Sequence, residues 1–274
     1  MHIPDHKIIS CPGKGMLPLE DKLIKRNHLS DMILMGAGIS PGVASANTNS
    51  IDLELASSQY LSAADSASLS ISGDMTIEAW IKLESLPDGS GAGFSIVTKD
   101  LGTNRDFYYL IYDDTGGVNK NKQYMNFSAV AVPGDIDITD GWGGAALTTA
   151  VWIHIAVALT IATDTLAFYK DGVALTTTYN RRNATARNDS TAKLNVGALR
   201  DTIYFFDGLM DDVRVWNDVR TATEISDNYL SELVGNEAGL VGYWKLNNGL
   251  LDETSNANNL TNNGAAVFST DVPF

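Results

Sequence analysis

From residue 50 onward, apolar and polar residues alternate in about ten short runs, and this period of two constrains the fold more than any other feature. Three of the runs are "MTIEAWIKL" (75–83), "VWIHIAVALT" (151–160) and "MDDVRVW" (210–216). Gly, Asn, Asp and Pro residues separate them, as in the turns between β-strands. Strands and helices do not alternate, so the pattern predicts an all-β fold, a two-sheet antiparallel jelly-roll sandwich.

Local signals add detail to this sandwich. Asp171-Gly172 in "YKDGVAL" predicts a tight hairpin turn, because both residues tolerate positive φ angles. Only residues 221–233 have helical spacing, which predicts one short helix in the C-terminal half, capped by Thr221 or Thr223. Its apolar residues are Ile225, Tyr229 and Leu233. Most of the tryptophans inside strand runs are expected in the core; the four are Trp80, Trp152, Trp216 and Trp244.

Residues 1–43 differ in composition from the rest of the chain. They contain no Phe, Trp or Tyr, and prolines and glycines interrupt them, so they cannot close a core of their own. We therefore predict an N-terminal extended arm (1–43) that docks on other protein subunits, and a jelly-roll domain (44–274). An apolar run before "ASA" (44–46) is similar to the end of a secretory signal, but the roughly thirty residues before it favour a retained segment.

The formal net charge of −14 restricts the partners. A strongly acidic protein repels phosphate backbones and anionic lipids, so we expect no nucleic-acid partner. No stretch of about 18 consecutive apolar residues occurs, and we expect no membrane insertion. The acidity suits either cation binding or simple solubility. The single cysteine, Cys11, excludes an intrachain disulfide framework.

Seven ordered blocks between about residues 48 and 268 resemble the laminin-G-like jelly-roll domains of the concanavalin A-like lectin/glucanase superfamily. The blocks are "SIDLELASSQYLS", "SGDMTIEAWIKLESLP", "VWIHIAVAL", "LAFYKDGV", "LNVGAL", "YFFDGLMDDVRVWNDVRTATEI" and "GNEAGLVGYWKLNNG". The resemblance implies two curved antiparallel sheets. It does not decide the function, because the superfamily includes lectins, adhesion modules, hydrolases and virion proteins.

Asp211 and Asp212 are adjacent carboxylates at the start of a predicted strand. Period-two alternation puts Asp211 on the face of Val213 and Val215, and Asp212 on the opposite face with Arg214. The two carboxylates then diverge and cannot form a catalytic pair. Asp212 and Arg214 are expected to form a surface ion pair. Asp211, beside apolar valines, needs a partner, which is either a calcium ion or backbone amides.

The resemblance bears on that choice. Hydrolases of this superfamily have a "DYVRVY" strand whose aspartate holds a structural calcium ion together with backbone carbonyls. "DDVRVW" is similar, and the resemblance implies that Asp211 is the matching ligand. It also places the carbonyl ligands near Asp52 and Gly73. The alternative remains an Asp211 that accepts hydrogen bonds from backbone amides and binds no metal.

The sequence does not show the carboxylates of a glycosidase. Hydrolases of the superfamily carry a Glu-x-Asp-x-x-Glu strand, because a retaining hydrolase needs two carboxyl groups about 5 Å apart. This chain has no such triplet, and the nearest pattern, Asp52 and Glu54, lacks the third carboxylate. His154 is the only histidine after residue 43 and is expected to be structural. We therefore expect that the protein is not an enzyme.

Sugar binding requires an exposed aromatic ring that stacks on pyranose C–H groups, with amides and carboxylates around it. Trp142 is a candidate because it is expected in a glycine-bounded loop, "DGWGG", and not inside a strand run. Asp113 and Asp114 also fit a plain turn. The full set of candidate ligand-binding residues is Trp142, Tyr112, Asp113, Asp114 and Asn126.

Together these features predict a non-catalytic interaction module displayed on the surface of a larger assembly, with glycan binding as an accompanying activity. A phage or virus particle decoration or tail-associated protein, at the virion surface, fits a domain attached through residues 1–43. The alternative is a calcium-dependent carbohydrate-binding lectin or adhesin, extracellular or on a bacterial cell surface. A glycoside hydrolase ranks last.

Overall fold

The structure is a computed structural model that confirms the all-β sandwich. It describes residues 46–89, 91–102, 105–114, 119–129, 137–180 and 187–274. The chain divides into two units, Met1–Gly42 and Val43–Phe274, and every described residue belongs to the second. The predicted arm lies outside the described residues. Within those ranges, no helix is both long enough and apolar enough to cross a membrane.

The described strands form two antiparallel sheets. In chain order the strands are β1 (Ser50–Leu53), β2 (Tyr60–Ala63), β3 (Met75–Leu83), β4 (Gly93–Asp100), β5 (Arg105–Tyr112), β6 (Lys122–Ala129), β7 (Asp137–Ala146), β8 (Trp152–Thr160), β9 (Thr165–Lys170), β10 (Val173–Ala174), β11 (Thr177–Asn180), β12 (Leu194–Val196), β13 (Gly208–Trp216), β14 (Leu240–Trp244), β15 (Thr261–Asn263) and β16 (Val267–Ser269). Sheet A has the order β10-β9-β8-β3-β13-β1-β16, with β14 also paired to β13. Sheet B has the order β11-β7-β6-β5-β4-β12-β2-β15.

The core lies between the two sheets and follows the predicted alternation. In β3, Ile77, Ala79 and Ile81 are fully buried in the core. In β5 of sheet B, Tyr109 and Ile111 are likewise fully buried in the core. Because successive side chains of a strand point to opposite faces, the residues between them lie on the outer face of each sheet. The outer faces therefore carry the polar and aromatic side chains that concern function.

The helix is present but shorter than predicted. Helix α1 (Ala222–Asn228) begins with a capping box, in which Thr221 and Glu224 each hydrogen-bond the other's backbone amide. Tyr229 is its C-cap, so Leu233 lies beyond its end, packed with Trp216, Leu240 and Tyr243. The Asp171-Gly172 turn is confirmed, since both residues have positive φ and join β9 to β10.

Three of the four strand tryptophans are buried, which confirms the prediction that most of them are core residues. Trp244 is fully buried between the sheets. Trp216 is buried in a smaller cluster, and Trp80 packs against Tyr229 with ring centroids 5.8 Å apart. Trp152 is only half-buried, and its indole donates to Asp271 at 2.7 Å. Strand periodicity places an indole on a face, but elements distant in sequence decide whether that face is covered.

A β-bulge in β13 makes the predicted face of Asp211 wrong, whereas Asp212 lies on the face of Arg214 as predicted. The register with β3 shifts between Asp211 and Arg214, and Asp212 has a φ of 50°. Asp211 pairs with the outward-facing Trp80, whereas Val213 lies in the core. One extra residue in a strand moves the preceding side chain to the opposite face. Asp211 therefore lies on the outer face of sheet A.

The Asp212–Arg214 ion pair exists but is buried, contrary to the predicted surface pair. Both side chains are almost fully enclosed. The Arg214 guanidinium also donates to the carbonyl of Ser231 at 2.6 Å and to that of Asn228 at 3.3 Å. Because a buried guanidinium requires its donors to be paired, these contacts fix the segment after α1 onto sheet A.

Candidate functional site

Five aromatic side chains form a continuous group on the outer face of sheet B, here called the aromatic cluster. Its members are Tyr108, Tyr112, Tyr124, Trp142 and Tyr204. The centroid of the Trp142 ring is 4.4 Å from that of Tyr124 and 5.6 Å from that of Tyr112. Tyr204 meets Tyr112 edge-on at 6.0 Å. At such distances aromatic rings attract one another, which holds the cluster together.

Strand alternation and register bring the cluster together. Tyr109 lies in the core, so its neighbours in β5 point away from it, and Tyr108 and Tyr112 face outward. On the next two strands, Tyr124 of β6 pairs directly with Trp142 of β7. Directly paired side chains in an antiparallel sheet lie close together on the same face. The rings therefore form a row across three neighbouring strands.

The loop 199–204 covers one side of the cluster and closes a cleft of about 220 Å³. The residues that line this cleft, here called the aromatic cleft, are Tyr108, Leu110, Tyr112, Tyr124, Leu199, Arg200, Ile203 and Tyr204. Leu110 is fully buried on the outer face, where the loop and the rings cover it. The cleft is thus mainly aromatic and aliphatic, with phenol groups and one guanidinium at its edges, as is usual for a small-molecule site.

The loop has an unusual backbone that is held in place on both sides. Arg200, Asp201 and Tyr204 have φ angles of 57°, 62° and 53°. Such left-handed conformations cost free energy in residues other than glycine and concentrate at functional sites. The phenol of Tyr204 donates to the carbonyl of Gly91 at 2.9 Å. The backbone carbonyl of Tyr204 accepts from the amide of Ser95, also at 2.9 Å. These bonds fix the Tyr204 ring against the cluster.

A glycine lets the rings lie close to the sheet. A Cβ atom at Gly93 would be 3.0 Å from Cδ2 of Tyr112 and 3.5 Å from Cγ of Tyr204. The first of these distances is shorter than an ordinary carbon–carbon contact, so any larger residue would push Tyr112 outward. The absence of a side chain at Gly93 therefore allows the Tyr112 ring to lie close to the sheet.

The polar groups of the site are neutral or paired. Burial, together with the neighbouring phenol of Tyr204, raises the pKa of Tyr112 to about 12, so this hydroxyl remains a donor at neutral pH. Arg200 is paired with Asp100 at 2.8 Å. Asn126 is 2% exposed and donates to the phenol of Tyr124 at 3.3 Å. Its carbonyl oxygen accepts no hydrogen bond from the described residues.

The structure brings together three of the five predicted ligand-binding residues, Trp142, Tyr112 and Asn126. Asp113 and Asp114 lie beyond the end of β5, next to the cluster in sequence. The carboxylate of Asp114 accepts from the backbone and side chain of Asn119, at 3.2 and 3.1 Å. Asp113 is buried, and its backbone pairs with Gly91 and Ala92. These contacts correspond to the turn alternative, and sugar binding by the two carboxylates stays a prediction.

Sequence reasoning missed three members of the cluster. Tyr108 and Tyr124 occupy outward positions in "FYYLIYD" and "QYMNF", so strand alternation could have found them. Tyr204 carries no such signal, because the fold of the loop 199–204 brings it to the sheet. Arg200 was missed for the same reason.

Two of the three predicted metal ligands, Gly73 and Asp211, belong to different positions along β3 and β13. Gly73 precedes β3, close to Thr76, which pairs with Trp216 of β13. Asp211 of β13 pairs instead with Trp80, further along β3. Thr76 is already roughly 13 Å from Trp80 along the strand, and calcium–oxygen distances are about 2.3 to 2.6 Å. Gly73 is therefore distant from Asp211 along the sheet, and the calcium set Asp211, Asp52 and Gly73 stays a prediction. Among the described residues, no group of three or more His, Cys, Asp and Glu side chains could hold a metal ion.

Asp211 has the hydrogen-bond partners that the sequence left as the alternative to calcium. Its carboxylate accepts from the side-chain amide of Asn47 at 2.7 Å and from the backbone amide of Asp212 at 2.9 Å. Burial raises the pKa of Asp211 to about 8. Asp52 pairs with Leu209 in β13, and burial and the charge of Asp207 raise its pKa. Calcium binding by this protein remains a prediction.

His154 has a structural environment. It is 1% exposed, and its Nε2 atom lies 3.4 Å from the carboxylate of Glu78, which also accepts from the indole of Trp216 at 2.7 Å. Burial opposes ionisation of Glu78, but His154, Arg214 and Trp216 outweigh it and lower its pKa. These groups are enclosed on the outer face of sheet A, the opposite sheet from the aromatic cleft.

The family model for the concanavalin A-like lectin/glucanase superfamily matches residues 55–226, which is more than half of the chain. The chain belongs to this superfamily. Two solved structures share its fold. A candidate carbohydrate-binding protein from Bacteroides ovatus is 18% identical, with a TM-score of 0.60. A heptameric SAP-like pentraxin from Limulus polyphemus is 12% identical, with a TM-score of 0.53.

The two matches differ in coverage. The alignment with the Bacteroides ovatus structure covers 81% of this chain and 60% of that one, so this chain spans less than two thirds of its length. The alignment with the pentraxin covers 83% of this chain and 97% of the other. A comparison with curated proteins found no match.

Proposed function

We propose that this domain is a non-catalytic carbohydrate-binding module that holds its ligand in the aromatic cleft. The observation that carries the proposal is the row of Trp142, Tyr124 and Tyr112 rings beside a cleft of about 220 Å³. The C–H faces of a pyranose stack on such rings, and its hydroxyls pair with phenols and amides at the edge.

The charges around the cleft favour a neutral glycan. Arg200 is the one cation among the lining residues that the structure describes, and Asp100 already neutralises it. The chain as a whole carries a formal charge of −14, which repels sulfated or carboxylated sugars. Recognition through stacking and neutral hydrogen bonds therefore suits uncharged hexoses.

The lining of the cleft also supports a non-catalytic role. Glycoside hydrolysis requires two carboxyl groups, about 5 Å apart in retaining enzymes and further apart in inverting ones. None of the described lining residues is Asp or Glu. The closest sequence pattern, Asp52 and Glu54, belongs to the β1 region of sheet A, not to the sheet that carries the cleft. A bound sugar would therefore meet no acid and nucleophile pair there.

Membership of the concanavalin A-like lectin/glucanase superfamily supports the carbohydrate-binding part of this assignment, as does the description of the Bacteroides ovatus protein as a candidate for carbohydrate binding. Both are weaker support than the site itself, because domains of one fold carry unrelated functions. The residues of the aromatic cluster carry the proposal and also provide its test.

A glycan array followed by isothermal titration tests the proposal. We expect neutral glycans to bind, and Trp142→Ala to weaken binding at least about thirtyfold, the effect of losing about 2 kcal/mol at a central aromatic contact. Trp152→Ala is the matched control, because Trp152 is a half-buried tryptophan of sheet A. Equal affinity of the two variants, or a wild-type protein that binds no glycan, would refute the proposal.

Attachment to a larger assembly, such as a virus particle surface, remains a prediction from the sequence of residues 1–43. Removing residues 1–43 is expected to leave the glycan affinity unchanged and to abolish incorporation into the assembly. Co-sedimentation with the assembled particle measures the second effect. A truncated protein that still co-sediments would contradict the predicted docking role.

A further inference from the structure

A single row of paired residues crosses the outer face of sheet B and connects the aromatic cluster with a more distant part of the sheet. Asn126 of β6 pairs with Tyr108 of β5, which pairs with Thr98 of β4. Thr98 in turn pairs with Asn195 of β12, and Asn195 pairs with Ser62 of β2. Because directly paired residues share a face, all five lie on the same side of the sheet.

The two asparagines of this row have the same unsatisfied atom. Asn126 and Asn195 are 2% and 3% exposed. The side-chain amide of Asn195 donates to Asp201 at 2.8 Å, as that of Asn126 does to Tyr124. Neither carbonyl oxygen accepts a hydrogen bond from a described residue. A buried acceptor without a donor costs about 1 to 3 kcal/mol, so a ligand hydroxyl at either position would be favoured.

Asn195 lines a second cavity of about 140 Å³, here called the polar cavity. Its lining residues are Asp100, Leu101, Ala192, Lys193, Asn195, Arg200 and Asp201. Arg200 belongs to both linings, so the polar cavity adjoins the aromatic cleft. The cations of the polar cavity are paired, Lys193 with Asp201 at 2.6 Å and Arg200 with Asp100 at 2.8 Å. This cavity too therefore suits an uncharged ligand.

The distance between the two asparagines sets the size of a ligand that reaches both. They are three strand spacings apart, which is about 14 Å at about 4.7 to 4.9 Å per spacing. A single pyranose ring is much shorter than this. A chain of several sugar units, passing over the partly exposed Arg200, could contact both.

We propose that the aromatic cleft and the polar cavity are two subsites for one neutral oligosaccharide, of which one unit stacks on the aromatic cluster and another donates a hydroxyl to the carbonyl oxygen of Asn195. This inference rests on the proposed function, since it specifies the length and path of the ligand. The fixed loop 199–204 separates the subsites, and Arg200 at its tip forms their common wall.

Isothermal titration with linear oligosaccharides of increasing length tests the inference. Three series are used, made of glucose, mannose or galactose units, and each runs from the monosaccharide to the hexasaccharide. The affinity of the wild-type protein should rise with length until the chain reaches Asn195. Asn195→Ala should then weaken binding of the longer ligands about tenfold, the effect of one lost hydrogen bond, and leave monosaccharide affinity unchanged. Trp142→Ala should weaken binding at every length.

Ser62→Ala is the matched control, because Ser62 is the next buried polar residue of the same row and lies outside both cavity linings. It should bind every ligand like the wild type. Affinity that is independent of length, or an Asn195→Ala effect equal at all lengths, would overturn the two-subsite inference while leaving glycan binding intact. A wild-type protein that binds none of these sugars would refute the proposed function and this inference together.

Discussion

Replacement of Asp106 by Asn is expected to change how the stability of the fold depends on pH. Asp106 is fully buried near the start of β5, 3.3 Å from Nζ of Lys99 and 3.5 Å from Nη2 of Arg187. Burial raises its pKa from 3.8 to about 6, and the two neighbouring cations only partly oppose that rise. The folded protein therefore holds this proton more tightly than the unfolded chain does.

The sign and size of the effect follow from linkage. A carboxyl group whose pKa is raised by folding contributes stability that is fully present below pH 3.8 and is lost as the pH rises through about 6. Between pH 4 and pH 7 this loss amounts to about 2 kcal/mol, at about 1.4 kcal/mol per pKa unit. Asp106→Asn removes the titration, so the variant should gain about 2 kcal/mol relative to the wild type over that range.

Urea unfolding followed by tryptophan fluorescence at pH 4, 5, 6 and 7 measures this difference. The substitution also alters contacts with Lys99 and Arg187, which adds a constant offset to the unfolding free energy. This offset does not matter, because only the change with pH of the difference between variant and wild type is interpreted. Asp189→Asn is the matched control. Burial opposes ionisation of Asp189, but Lys99 outweighs it and lowers the pKa below 3.8, so its contribution to stability changes only below about pH 4 and the control should run nearly parallel to the wild type from pH 4 to pH 7. Parallel pH profiles for wild type and Asp106→Asn would refute the reasoning.

Two further substitutions test the site and the fold separately. Gly93→Ala should displace the Tyr112 ring, lower glycan affinity several-fold in titration calorimetry and leave the melting temperature nearly unchanged in scanning calorimetry. An unchanged affinity would show that the position of the ring is unimportant for binding. Thr221→Ala should lose the capping box of α1 and about 1 kcal/mol of unfolding free energy in urea titrations, whereas Thr221→Ser should lose little; equal losses would argue against the cap.

Local patterns in the sequence were sufficient for most of the fold. Alternation in "MTIEAWIKL" correctly separates the core residue Ile77 from the outward Glu78, and the Asp171-Gly172 turn follows from φ preferences. The bulge at Asp211 and Asp212 could not be read in this way, because the strand contains no glycine or proline there. It arises from the pairing of β13 with β3, which are distant in sequence.

Strand periodicity can place only those residues of the site that lie on regular strands. Tyr112 and Asn126 lie on regular strands, whereas Tyr204 and Arg200 belong to a loop whose left-handed residues have no sequence signature. Asn195 is an ordinary outward residue of β12, and it becomes a candidate ligand only because register aligns it with Asn126 across the sheet.

A crystal structure with a bound neutral oligosaccharide tests the central claim most directly, because it locates the ligand on one face of one sheet. The account predicts a sugar ring against Trp142 and Tyr112 on the outer face of sheet B, with the chain directed past Arg200 towards Asn195. A sugar bound on sheet A, or at the end of the sandwich away from the aromatic cluster, would contradict it.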